Sequence, residues 1–80
     1  MAEFHEYDVV RVRQLLQPDR HYDGTQCVKR SPRVGDKGTI VLIPPGTNSW
    51  YIVECVNSDG FTVWLADFVT DELELVEADE

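Results

Sequence analysis

The sequence predicts an all-β fold, a small and strongly bent sheet of five strands, and three observations support this. Residues 34–41 bracket a charged pair with two glycines and pass directly into a β-branched run. Apolar and polar residues alternate in several short stretches that are bounded by turn residues. No stretch shows the sustained 3.6-residue periodicity of an amphipathic helix. These features are typical of short strands joined by tight turns.

The first two strands are predicted over residues 8–13 and 37–43. Residues 8–13 alternate polar and apolar side chains, as expected for a strand with one solvent-facing side. Gly35 and Gly38 permit the positive φ angles of a tight turn, and the Thr-Ile-Val run after them suits a half-buried pleated surface. The Pro-Pro-Gly sequence that follows cannot continue a strand ladder.

The third and fourth strands are predicted over residues 49–56 and 61–68. Between them, the sequence Asn-Ser-Asp-Gly at 57–60 predicts a hairpin turn with Gly60 at positive φ. Both segments are rich in aromatic and β-branched residues, which favour strands. We therefore expect an antiparallel hairpin in this half of the chain.

A helical turn and a closing strand are predicted next. Thr70 is a suitable cap for one helical turn, and Asp71 and Glu72 suit its positive end. Residues 73–76 then form the last strand. Five short strands, a long first loop and a short helical turn before the last strand describe a small five-stranded SH3-like barrel, whose closure removes exposed strand edges.

The length of the chain, 80 residues, predicts one domain over 1–80, with flexible ends at 1–6 and 77–80. The start of the chain lacks the basic and apolar regions of a signal peptide. The longest apolar run is far below the ~20 residues of a membrane span. We therefore expect a cytoplasmic protein with no membrane contact, and Cys27 and Cys55 as free thiols.

Four segments occur in this order along the chain: YDVV at 7–10, VGDKGTIV at 34–41, YIVECV at 51–56 and DELELV at 71–76. Together they resemble a family of short bacterial proteins of unknown function with an SH3-like fold. The connection 14–33 is longer than is usual in that family. Because the family has no assigned activity, the resemblance implies a fold and little about function.

The glycine turn at 34–41 is also similar to the motif of KOW domains in ribosomal and transcription proteins. A weaker likeness, for the fold alone, is to the barrel of the nitrile hydratase β subunit. KOW domains that bind RNA are generally basic around the turn, whereas every charge after Lys37 in this chain is acidic. A KOW-like nucleic-acid-binding domain is therefore an alternative that the charge disfavours.

Charge is strongly segregated along the chain, whose net charge is −8. The first 37 residues carry 7 basic and 6 acidic groups, and the remainder carries 9 acidic groups and no basic one. Phosphate binding depends on Lys and Arg, so this balance opposes nucleic acids and anionic membranes. It favours either a basic protein partner or simply a solvated acidic surface.

The connection 14–33 is the predicted contact region, because a loop of about 20 residues without secondary structure is usually functional or disordered. The aromatic and basic residues of this connection, together with a tryptophan of the barrel, would form a groove for a partner segment. The predicted partner-binding residues are Arg20, Tyr22, Lys29, Arg30, Arg33, Trp50 and Trp64. Two alternatives stay open: Trp64 belongs to the core, or the basic loop lies against the acidic half of the same chain.

We expect a non-catalytic protein-interaction module or accessory protein, a monomer or weak homodimer, without metal or cofactor. Cys27 and His21 are close in sequence, but a nucleophile needs a base on a rigid support. No spacing of His, Cys or carboxylates matches a metal motif. An alternative function is an acidic immunity or antitoxin-type protein that neutralises a basic partner through Glu54, Asp67, Asp71, Glu72 and Glu74.

Overall fold

The protein is all-β in the computed structural model, which describes residues 4–46 and 49–76. Its strands are β1 (Val9–Val12), β2 (Tyr22–Asp23), β3 (Lys37–Leu42), β4 (Trp50–Val56), β5 (Thr62–Val69) and β6 (Leu73–Leu75). A single turn of 3₁₀ helix, Thr70–Glu72, precedes β6. The described residues contain no helix that is long and apolar enough to cross a bilayer.

The six strands form one antiparallel sheet in the order β2-β5-β4-β3-β1-β6. β1 pairs with both β3 and β6, so the first and last strands lie side by side. The outer members of this order, β2 and β6, are not paired with each other in the described part of the chain. The prediction of five strands missed β2, in which two loop residues, Tyr22 and Asp23, pair with Ala66 and Leu65.

The predicted hairpin between β4 and β5 is confirmed. Gly60 has a φ of 87°, the left-handed conformation expected for the turn. The side-chain oxygen of Asn57 accepts hydrogen bonds from the backbone N–H groups of Asp59 and Phe61, each at 3.0 Å. This local bonding fixes the turn independently of the core, because Asn readily bonds backbone groups two residues along the chain.

The two glycines of residues 34–41 serve different purposes. Gly35 has a φ of 97° and takes the turn conformation that the sequence predicted. Gly38 was predicted to need positive φ as well, and this is wrong. A Cβ atom there would lie 2.7 Å from Val53 Cγ1 and 2.8 Å from the carbonyl oxygen of Glu54. Gly38 is therefore required by the close approach of β3 and β4.

One core lies inside the bent sheet. In β4, Tyr51, Val53 and Cys55 are buried while the residues between them are more exposed, which is the period of two expected of a strand. The largest fully buried side chains include Trp64 and Phe68, whose ring centroids are 5.2 Å apart. The core of this small domain is thus dominated by aromatic side chains, which bury the most area per residue.

A β-bulge decides which residues of β5 face the core. Cys55 lies opposite Trp64 and Val56 lies opposite Thr62, which leaves Val63 as an extra residue. Val63 and Trp64 are consequently both buried, at 8% and 0% exposure. Simple alternation along 61–65 therefore fails to assign the inward face, because a bulge places two consecutive residues against one partner.

The first described residue, Phe4, is tied to the core. Phe4, inside the segment 1–6 that was predicted to be flexible, is buried and packs edge-on against Tyr51 with centroids 5.4 Å apart. Residues 1–3 and the predicted flexible end 77–80 lie outside the described residues.

The predicted cap of the helical turn is off by one residue. Thr70 is the first residue of the 3₁₀ turn, and the cap position before it is occupied by Val69.

Candidate functional site

The long loop, defined here as residues 14–33, is joined to the sheet by the β2–β5 pairing and is also held by two ion pairs. The first is between Arg20 and Glu72, whose side chains are 4% and 0% exposed. The second joins Arg30 to Asp36, with Nη1 and Nη2 donating to the two carboxylate oxygens at 2.8 and 3.0 Å. The pair of Arg20 with Glu72 is buried, and breaking a buried pair by removing one partner costs about 3–5 kcal/mol, whereas the more exposed pair of Arg30 with Asp36 contributes less. The loop is therefore a fixed part of the structure.

Glu72 collects donors from the loop and from the sheet, and this group is called here the Glu72 cluster. In addition to Arg20, its carboxylate accepts from the backbone N–H of Leu16 at 2.7 Å and from Gln17 Nε2 at 3.0 Å. It also accepts from the backbone N–H of Val69 at 3.0 Å. Burial works to raise the pKa of Glu72, but these hydrogen bonds, Arg20 first, outweigh it and lower the pKa. Glu72 is thus held as a buried carboxylate.

Asp36 organises the second attachment point. Besides Arg30, it accepts hydrogen bonds from the indole Nε1 of Trp64 at 2.8 Å and from the backbone N–H of Arg33 at 2.9 Å. Burial works to raise the pKa of Asp36, but the bonds from Arg30 and Trp64 lower it overall. The hydrogen bond to Asp36 in turn raises the pKa of Arg30. This corner of the loop is held by charge and by a core side chain.

A groove with a volume of about 580 Å³ lies between the long loop and the outer face of β4 and β5. Its loop wall consists of Gln17, His21, Tyr22 and Asp23, and its sheet wall consists of Ser49, Trp50, Ile52, Leu65, Ala66, Asp67 and Val69. The sheet wall arises from strand pairing, because Trp50 lies opposite Val69 and Ile52 lies opposite Asp67. These cross-strand neighbours place an apolar surface beside a carboxylate.

The charge of the groove is negative. Asp23 and Asp67 both line it, and none of the described lysines and arginines does. Within residues 4–46 and 49–76, neither carboxylate forms an ion pair with a basic side chain. Trp50, which lines the groove, is 36% exposed. The groove therefore combines aromatic and aliphatic surface with two carboxylates that are free to attract a cation.

The structure separates the predicted partner-binding residues into three groups. Tyr22 and Trp50 line the groove. Arg20 and Arg30 are engaged in the ion pairs that fix the loop. Lys29 and Arg33 are exposed, and the Lys29 ammonium lies 5.4 Å from the centroid of the Tyr22 ring, within the range of a cation–π contact.

Trp64 corrects the prediction that it would line a groove. Its side chain is 0% exposed, and its indole N–H is bonded to Asp36. The alternative interpretation, a core residue, therefore holds. The other alternative holds in part as well: Arg20 of the basic loop does contact Glu72 of the acidic half. Arg30, in contrast, finds its partner in the first half of the chain, at Asp36.

The five acidic residues of the neutraliser hypothesis are not equally available. Glu72 is fully buried, so its predicted role as a surface contact is wrong. Glu74 pairs with Arg11 at 3.0 Å, and Glu54 accepts a hydrogen bond from Thr62 Oγ1 at 2.6 Å. Asp71 is exposed and Asp67 lines the groove. The acidic surface is thus partly neutralised within the molecule.

Several groove residues were missed from the sequence. Ile52 and Leu65 lie on the outward side of predicted strands, and Val69 directly follows the predicted fourth strand. Alternation from the buried neighbours Tyr51 and Phe68 is a signal that points to Ile52 and Val69. The loop residues Gln17 and Asp23 carried no such signal, because the path of a long loop does not follow from its sequence.

The two cysteines lie in different environments. Cys55 is buried, and burial raises the pKa of its thiol. Cys27, in contrast, is exposed in the long loop. No group of three or more potential metal ligands comes together among the described residues.

Comparison with known proteins does not assign this chain to a family. No protein-family profile, no curated protein and no solved structure matches it. Any functional interpretation therefore rests on the groove and its chemistry.

Proposed function

We propose that this protein is a non-catalytic protein-interaction module with an SH3-like barrel fold, and that it binds an extended segment of a partner protein in the groove. The observation that supports this most directly is the juxtaposition of Trp50 and Tyr22 with Asp23 and Asp67 along one groove. Aromatic anchors beside charged groups are the composition found at protein-binding sites.

The barrel part of the proposal is supported by the order of the elements. A long connection between β1 and β3, a hairpin between β4 and β5, and a 3₁₀ turn before β6 follow the sequence expected of such a barrel. The pairing of β1 with both β3 and β6 brings the chain's first and last strands together, as closure of a small sheet requires.

The chemistry of the partner follows from charge complementarity. A segment with a lysine or arginine flanked by apolar residues would place its cation near Asp23 and Asp67 and its apolar side chains on Ile52 and Leu65. The net charge of −8 adds long-range attraction for such a segment. An extended conformation suits a groove bounded on one side by a sheet.

The test is selection of binding peptides from a random library displayed on phage, with the wild-type protein as bait. We expect enriched peptides to combine lysine or arginine with apolar residues. Trp50→Ala should weaken their binding by about tenfold or more, as for an anchor residue. Asp67→Asn should weaken binding and reduce its dependence on salt concentration.

Matched controls lie at the far end of the same hairpin. Phe61→Ala removes an aromatic side chain that is 52% exposed, and Asp59→Asn removes an exposed carboxylate, and neither residue lines the groove. Both variants should bind the selected peptides like the wild type. Failure to enrich any peptide, or enriched peptides that bind Trp50→Ala and Asp67→Asn normally, would contradict the proposed function.

A further inference from the structure

The two walls of the groove are joined by the β2–β5 pairing at Tyr22 and Asp23, and a second time by one carboxylate oxygen of Glu72. Glu72 Oε1 accepts from Gln17 Nε2 and from the backbone N–H of Val69, both at 3.0 Å. Gln17 belongs to the loop wall and Val69 to the sheet wall. Away from the β2–β5 pairing, the spacing between Gln17 and Val69 is therefore set by hydrogen bonds to a single atom.

Arg20 extends this control along the loop wall. It directly precedes His21, Tyr22 and Asp23, which make up the rest of that wall. Its guanidinium donates to both oxygens of Glu72, and its Cζ lies 4.0 Å from the centroid of the Phe68 ring. The side chain is thus held at one end by charge and along its face by an aromatic ring.

Stability alone does not account for this arrangement. Burying an arginine and a glutamate costs desolvation free energy, and well-packed apolar residues in their place are often neutral or stabilising. Apolar contacts are not directional, whereas the hydrogen bonds to Glu72 fix the positions of Gln17 and Val69 relative to each other. A geometric role explains why a polar cluster occupies a place that apolar packing would fill.

We infer that Glu72 and Arg20 are positioning residues, which set the width of the groove and thereby its affinity for the partner segment. The inference rests on the proposed function. Neither residue touches the partner, because Glu72 is fully buried and the Arg20 side chain is 4% exposed. They act through Gln17, through the loop wall and through Val69. A groove held in its binding conformation avoids the cost of ordering on binding.

The first experiment measures the walls without any ligand. Glu72→Gln removes the charge but keeps the size of the side chain, and Glu74→Gln is its control, because Glu74 pairs with Arg11 outside the groove. Amide hydrogen exchange of residues 21–23 and the NMR signal of the Trp50 indole N–H report on the two walls. We expect faster exchange and a shifted indole signal in Glu72→Gln and neither change in Glu74→Gln. Unchanged walls in Glu72→Gln would overturn the inference.

The second experiment measures affinity for a display-selected peptide at a temperature where circular dichroism shows every variant folded. Arg20→Met should weaken binding by about tenfold, and Arg20→Lys, which keeps the charge, should recover part of that loss. The double variant Arg20→Met/Glu72→Leu leaves no unpaired buried charge and should regain stability without regaining affinity.

The possible results separate the inference from the proposed function. Wild-type affinity in the double variant would overturn the positioning role while the groove remained the binding site. Selected peptides that ignore Trp50→Ala would overturn both. If Arg20→Met does not fold, the peptide affinities of Glu72→Gln and of the double variant are compared with that of the wild type instead, because both variants lose the bond from Arg20 to a carboxylate.

Discussion

The indole N–H of Trp64 donates to Asp36 Oδ2 across 2.8 Å, and this bond joins the largest fully buried side chain to the turn before β3. The same carboxylate accepts hydrogen bonds from both terminal nitrogens of Arg30. Asp36 therefore satisfies a donor of the core and neutralises a cation of the long loop. A single side chain thus links the long loop and the turn before β3 to strand β5, 28 positions further along the chain.

Removing this carboxylate should destabilise the protein. Asp36→Ala leaves the Trp64 indole N–H buried without an acceptor, which costs about 1–3 kcal/mol. Asp36→Asn keeps an acceptor oxygen and should cost less. The measurement is the free energy of urea unfolding, followed by tryptophan fluorescence.

The control for Asp36 is Asp59→Ala, at an exposed position of the hairpin turn. Substitution there should change the free energy of unfolding by no more than about 0.5 kcal/mol. Equal losses in Asp36→Ala and Asp59→Ala would show that the Trp64 hydrogen bond contributes nothing measurable.

Acid should destabilise the protein through Asp36 and Glu72. Burial works to raise the pKa of each carboxyl, but hydrogen bonds from Arg30 and Arg20, respectively, bring both below their ordinary values of 3.8 and 4.5. The unfolded chain therefore takes up these protons at a higher pH than the folded chain does. The stabilisation is fully present above the ordinary values and is lost as the pH falls through the lowered folded values.

The pH effect is measured by urea unfolding at a series of pH values from neutral to acid. The free energy of unfolding of Asp36→Asn should fall less steeply with acid than that of the wild type, because one of the two linked groups is gone. Parallel curves for the two proteins would mean that Asp36 has the same pKa in the folded and unfolded chains.

The sequence predicted the strands well because their signals are local. Alternation and β-branched runs located four of the six strands to within a residue or two at each end, and turn chemistry located the hairpin at Asn57 and Gly60. The last strand, β6, ends at Leu75, one residue before the predicted end. β2 was missed, because a strand of two residues has no periodicity and forms only where β5 is available to pair with it.

The site was harder to predict because it depends on pairing across long sequence separations. Tyr22 and Trp50 were chosen by residue type, and both line the groove. Composition could not reveal that the Arg20 side chain forms an ion pair with Glu72, 52 positions further along the chain. Nor could it reveal that Trp64 turns inward, because that orientation depends on a bulge in the pairing with Cys55. Such facts follow from register and burial, which short-range patterns do not encode.

Substitution of Gly35 or Gly38 should destabilise the protein, but alanine and asparagine should rank in opposite orders at the two positions. Gly35 has positive φ, and a Cβ atom there would meet nothing within 4 Å, so Gly35→Ala should cost about 1–2 kcal/mol and Gly35→Asn less. At Gly38 a Cβ atom would collide with Val53 and Glu54, so Gly38→Ala should cost about 1–3 kcal/mol and Gly38→Asn more. Urea unfolding of the four variants tests this. A neutral Gly38→Ala, or asparagine worse than alanine at Gly35, would contradict it.

The basic residues of the loop should differ in their effect on stability. The sequence grouped Lys29, Arg30 and Arg33 together as predicted partner-binding residues of the loop. Arg30, however, binds Asp36, and its side chain is 34% exposed. Because solvent screens a pair of that exposure, Arg30→Gln should lower the free energy of unfolding by about 1 kcal/mol. Lys29→Gln and Arg33→Gln should each change it by about 0.5 kcal/mol or less.

The triple variant of these loop residues provides the sharpest comparison. If Arg30 alone has a structural partner, the triple variant should unfold with the same free energy as Arg30→Gln, within the sum of the two small surface effects. A clearly larger loss in the triple variant would show that Lys29, through its contact with the Tyr22 ring, or Arg33 also holds the loop. In that case the loop wall of the groove would depend on a charged contact beyond those at Glu72 and Asp36, in addition to the β2–β5 pairing.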